Sequence, residues 1–123
     1  MRILITITPR LYREVLALSI HLRCPDFKVL LAHPLSLSGE AERFGPHVLV
    51  QDAYTAPSSL VLPDRMLCRI QILDTGRMDA AIELDATVSE VNDVSLEDLF
   101  AVLEEAESLS QGYEAGRTDP ILG

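Results

Sequence analysis

The chain has 123 residues, 48% of them apolar, which suffices for one globular domain with its own core and is too few for two. Nineteen acidic against ten basic residues give a net charge of −9. No run of Lys or Arg forms a phosphate-binding stripe, so nucleic acid is not expected as a direct partner. The N-terminal apolar run, Met1 to Ile7, is far shorter than a membrane span, and Pro9-Arg10 interrupts it before a signal-peptide pattern develops. The expectation is a soluble, cytoplasmic protein with no membrane partner.

Residues 2 to 7 are short and isoleucine-rich, which predicts a buried strand. Thr8-Pro9 then supplies an N-cap followed by proline at the first helical position. Over residues 9 to 23, Leu11, Val15, Leu18 and Leu22 recur at helical spacing, with Arg10, Arg13, Glu14 and His21 elsewhere on the cylinder. That stripe is expected to cover one face of a sheet. Cys24-Pro25-Asp26 ends the helix, and Phe27 to Ala32 predicts a second strand stopping at His33-Pro34. Ser36 to Phe44 predicts a short helix containing Gly39 and closed by Gly45-Pro46, before a strand from His47 to Asp52.

Ala53 to Asp64, with Pro57, Ser58, Ser59 and Pro63 around Leu60-Val61-Leu62, is expected to be a loop, or a loop with one packed turn. Met66 to Leu73 predicts a fourth strand, ending in an Asp74-Thr75-Gly76 turn. From Ala81 to Val91 apolar and polar residues alternate, which predicts a half-exposed strand or a hairpin turning near Asp85-Ala86. Ser95-Leu96-Glu97-Asp98 resembles a capping box, and Leu96, Leu99, Phe100, Leu103 and Ala106 form an apolar face. A helix over 95 to 110 follows, with 111 to 123 expected as a flexible C-terminal tail.

Buried strands alternating with amphipathic helices imply parallel βαβ units and an α/β fold. Ligands and reacting groups in such sheets gather at the carboxyl ends of the strands. Thr6 to Thr8, His33, Asp52 and Asp74-Thr75 are therefore the positions of interest.

At this point the chain resembles the receiver domains of two-component response regulators, over residues 2 to 52 and more weakly over 66 to 110. Ile3-Leu4-Ile5 with Leu11 to Leu16 looks like their first strand and helix. Pro25-Asp26-Phe27-Lys28-Val29 looks like the lead into the second strand, and Pro46 to Asp52 like the third strand with the phosphoacceptor aspartate at its end. The resemblance implies a flavodoxin-like three-layer sandwich with a mostly parallel sheet, its C-terminal part modified to a strand or hairpin. It places Thr8, Asp52, Asp74 and Thr75 in a degenerate, pseudo-active site.

The departures from that family are chemical. Receivers end their first strand in two acidic residues that help hold magnesium, where this chain has Ile7 and Thr8. An isoleucine offers no ligand to an octahedral oxygen shell. The family's hydroxyl residue after the fourth strand falls on Asp74, one place before Thr75. Its lysine after the fifth strand is missing, and the one lysine of the chain, Lys28, stands near the start of the second strand. Phosphoryl transfer rests on neutralising oxygen charge, so most of the usual stabilisation is absent.

The resulting expectation is a non-enzymatic, phosphorylation-independent interaction module in signalling, with no cofactor or metal, acting on a protein partner and possibly on itself. Its partner surface is expected to combine the hairpin, with Glu83 and Glu90, and the last helix. The alternative is a small enzyme or cation-binding protein using Asp52 and Asp74. His33 and His47 are expected at opposite ends of the sheet, and so not to share an ion. Cys24 and Cys68 lack metal-type spacing and are expected to be reduced and packed.

Overall fold

A computed structural model describes residues 1–53, 66–74 and 76–118, with side chains described as far as Gln111. In chain order the elements are β1 (Arg2–Ile5), α1 (Arg10–Arg23), β2 (Lys28–Leu31), a 3₁₀ turn (Pro34–Ser36), α2 (Leu37–Phe44), β3 (Val48–Asp52), β4 (Cys68–Asp74), β5 (Asp79–Leu84), β6 (Thr87–Val91) and α3 (Leu96–Thr118). The strands form one sheet in the order β2-β1-β3-β4-β5-β6.

The first four strands of that order are parallel, whereas β5 and β6 run antiparallel. This corrects the expected flavodoxin-like, mostly parallel sandwich: the sheet is mixed, and its C-terminal half is built of antiparallel hairpins. The cause lies in the chain length between strands. Residues 75–78 alone separate β4 from β5, and a crossover to a parallel neighbour needs about a dozen or more. A short link returns the chain antiparallel.

Local chemistry explains the remaining elements. Gly45 closes α2 in the left-handed conformation, φ 61°, and its N–H donates to the Ala41 carbonyl, a cap that glycine adopts without steric cost. Asp85 and Ala86 both have positive φ, 50° and 66°, as a two-residue turn between β5 and β6 requires. The capping box of α3 forms as expected: the Asp98 N–H donates to Ser95 Oγ at 3.1 Å, and the Ser95 N–H donates to Asp98 Oδ2 at 3.0 Å.

Two N- and C-terminal details differ from the sequence reading. Pro9 occupies the N-cap of α1 with no side-chain cap bond, and the helix begins at Arg10; the Thr8 hydroxyl is committed elsewhere, to Asp52. The last helix runs on to Thr118, past the end expected at 110. Gln111, Glu114 and Ala115 favour a helix, and no proline interrupts before Pro120. The loop expected at 53–64 lies, beyond Ala53, outside the described residues, as does Thr75.

The sheet carries helices on both faces. On one face Leu16 and Ile20 of α1 and Leu99, Phe100, Leu103 and Ala106 of α3 pack on Ile3, Ile5, Val48, Val50, Ile70 and Ile82. On the other, Leu37 and Ala41 of α2 cover Leu4 and Leu49. Each such leucine contributes about 1.5–3 kcal/mol by burial. Arg23 ties the end of α1 to α3, with its guanidinium 4.5 Å above the Phe100 ring and Nη1 bonded to Glu97 at 3.0 Å. Among the described residues no helix is long and apolar enough to cross a membrane.

Candidate functional site

Parallel pairing of β1 and β3 brings Thr8, just beyond β1, beside Asp52 at the end of β3. Asp52 is fully buried. Its Oδ2 accepts the Thr8 backbone N–H at 2.8 Å and also the Thr8 hydroxyl. Charge-assisted bonds of this kind contribute about 1.5–3 kcal/mol each when the site is dry. The carboxylate therefore fastens the end of β3 to the segment that leads into α1. Ile7, at the place where receivers carry an acidic magnesium ligand, packs into the core.

Asp74 stands two residues beyond Ile72, the register partner of Asp52 on β4. Asp74 is exposed, and its Oδ1 accepts the N–H groups of Gly76, at 2.9 Å, and Arg77, so it organises its own turn. Among the described residues no group of three or more His, Cys, Asp or Glu gathers at metal-binding range. His33 follows the carboxyl end of β2 and His47 precedes the start of β3, at opposite ends of the sheet, as expected. Lys28 opens β2, at the end of the sheet away from Asp52.

Glu83 and Glu90 are exposed and stand on one face of the β5–β6 hairpin, since Glu83 pairs with Val88 and Ala81 with Glu90. Ile82, pointing the other way, packs in the cluster that holds α3. The acidic pair and α3 thus lie on opposite sides of the sheet and do not make one continuous surface. On the face of Glu83, Gln51 is fully buried. With its amide oxygen turned toward β4, it accepts from Arg69 Nε at 2.8 Å and from Gln71 Nε2 at 3.0 Å. No sequence pattern singled out this polar row, because its members come from two strands.

Both cysteines are free. Cys68 sits in the core, and burial, with Glu105 and Glu83 adding repulsion, pushes its thiol up to about 12. Burial also raises the Cys24 thiol, reinforced by Glu104 and Glu107 and opposed by Arg23. Neither is a reactive thiolate at neutral pH.

The largest departure from the sequence reading concerns α1. The stripe expected to face the sheet points to solvent: Leu11, Val15, Leu18 and Leu22 are 62%, 50%, 59% and 74% exposed. The buried residues are Arg13, Leu16 and Ile20. Arg13, expected off the apolar stripe, is 8% exposed and donates Nη1 to the Ile7 carbonyl at 3.0 Å. Two apolar stripes compete on this helix, and the spacing of Leu16 and Ile20 fits a helical period as well as that of the outer row, so spacing alone did not separate them. The exposed stripe, with Tyr12 beside it at 42%, is an apolar surface of the kind that marks interaction sites. No family model matches the chain, and no characterised protein or solved structure does.

Proposed function

We propose that this chain is a protein-interaction module that works without phosphoryl transfer, docking through the outward face of α1, with a second copy of itself as partner. The carrying observation is the stripe Leu11, Val15, Leu18 and Leu22, between 50% and 74% exposed. Its steps of four, three and four residues are those of a coiled-coil seam. Laid antiparallel on a second copy, Leu11 meets the partner's Leu22 and Val15 the partner's Leu18, so the seam complements itself about a two-fold axis. Glu14 then flanks the partner's His21, while Tyr12 and Ser19 bring no like charge to the opposite flank.

Burying a half-exposed Leu or Val yields about 1 kcal/mol. Four on each helix give about 8 kcal/mol, of the same size as the association cost of about 4–15 kcal/mol. The interface is therefore weak and concentration-dependent, as suits a transient contact. Independence from phosphorylation is supported by the closure of Asp52: an aspartyl phosphate needs a carboxylate oxygen in line with the donor, whereas Asp52 is fully buried and engaged by Thr8. The resemblance of residues 2 to 52 to receivers suggests signalling as the setting.

Sedimentation velocity from about 10 μM to about 500 μM tests the reading. The sedimentation coefficient is expected to rise with concentration in the natural chain and to stay monomeric in Leu18→Glu, which leaves the core untouched. A natural chain that stays monomeric throughout the range removes self-association through α1.

A further inference from the structure

A cleft of about 230 Å³ opens at the carboxyl ends of β1 and β2, lined by Arg10, Arg13, Glu14, Leu31, Ala32 and His33. It lies where ligands collect in parallel sheets, and its lining includes neither Asp52 nor any of Leu11, Val15, Leu18 and Leu22. Its basic lining stands out in a chain with net charge −9.

Arg13 is the unusual member. It is 8% exposed, and drawing a guanidinium this far out of water is unfavourable unless a charge offsets it. Among the described residues no carboxylate reaches it within ion-pair distance. Of its five N–H donors, one goes to the Ile7 carbonyl at 3.0 Å. Arg10, three residues before it on α1, is 80% exposed at its side chain and held at 2.9 Å by the half-exposed Glu14. That contact contributes little and is exchangeable. His33 accepts the Leu35 N–H at Nδ1, 3.1 Å, which puts the ring proton on Nε2 and makes the outer edge of the ring a donor.

We propose that this cleft binds a small oxyanion, a phosphate or a short carboxylate, with Arg13 as its anchor. A planar guanidinium suits both anions through paired N–H···O bonds. Arg10 supplies a second, mobile cation, and His33 supplies a ring N–H donor. The volume is below the 300–1,000 Å³ or so of drug-sized sites, so the ligand is a compact one. Binding would complete the charge balance of Arg13, and the inference stands apart from self-association through α1.

Calorimetric titration and thermal unfolding with inorganic phosphate and, separately, with succinate test it, using sodium chloride at matched ionic strength as control. At least one of the two anions is expected to bind and to raise the unfolding temperature beyond chloride. Response to phosphate alone identifies a tetrahedral phosphoryl group as the ligand, and response to succinate alone a carboxylate. Arg10→Gln and His33→Ala alter exposed side chains and leave the fold in place. The pair together is expected to weaken the effective anion about tenfold or more, and Arg13→Lys to weaken it further. Absence of binding by both anions, or binding that none of these substitutions changes, overturns the assignment.

Discussion

At the end of β3 a carboxylate without exposed surface accepts both the backbone N–H and the hydroxyl of Thr8. Removing that acceptor takes the partner from a part-buried backbone donor. Asp52→Ala is therefore expected to destabilise the fold by about 2–4 kcal/mol, whereas Asp52→Asn keeps an oxygen acceptor and costs about 1 kcal/mol. Urea unfolding resolves the two, and equal midpoints for both variants and the natural chain would show that the bonds to Thr8 contribute nothing net. Cys68 makes the second residue-scale case. Folding retains a proton that the unfolded chain loses above its ordinary value of 9.0, since the folded thiol titrates near 12. The unfolded state thus binds fewer protons at this group over that window, so the contribution of Cys68 is constant below about pH 9 and falls as pH rises toward 12. The urea midpoint is expected to drop more between about pH 8 and about pH 10 in the natural chain than in Cys68→Ala. Identical drops would assign the loss to other groups.

Among the elements, the β5–β6 hairpin bears a local conflict between sequence and backbone. Ala86 holds φ 66° in its turn, a left-handed conformation that costs a side chain with a Cβ about 1 kcal/mol or more. Ala86→Gly is expected to raise stability by about 0.5–1 kcal/mol, the relief outweighing the extra freedom of glycine in the unfolded chain. Thermal unfolding of that variant checks it, and a lower midpoint would show that entropy dominates. At α1 the conflict is between two faces. Leu16 and Ile20 are fastened to the core while the longer Leu11-Val15-Leu18-Leu22 stripe stays outside. Neither the four-residue spacing of the inner pair nor the heptad steps of the outer row could alone say which stripe meets the sheet, because both satisfy a helical period. The direction in which the chain leaves β1, with Thr8 bolted to Asp52, selects it.

Over the whole molecule, the parallel half and the antiparallel half divide the work of the sheet. The parallel strands β2, β1, β3 and β4 carry the bolt at Asp52 and the basic cleft at the ends of β1 and β2. The hairpins extend the surface over which α3 packs, while Glu83 and Glu90 face away from it. α1 and α3 share one face and are tied by Arg23 against Glu97 and Phe100. That leaves the outer side of α1 uncovered by any described element. Local signals determined most of the elements: the buried strands, the capping box at Ser95, the glycine stop at Gly45 and the Asp85-Ala86 turn all follow from composition and spacing within a few residues. So did the proximity of Thr8 to the end of β3, once the strands were taken as parallel neighbours. Tertiary structure alone decided which face of α1 is buried, the burial of Arg13 and the separation of Glu83 from α3. Those outcomes depend on which distant segments meet, and the energy of an apolar or charged side chain is set by what packs on it rather than by its neighbours along the chain.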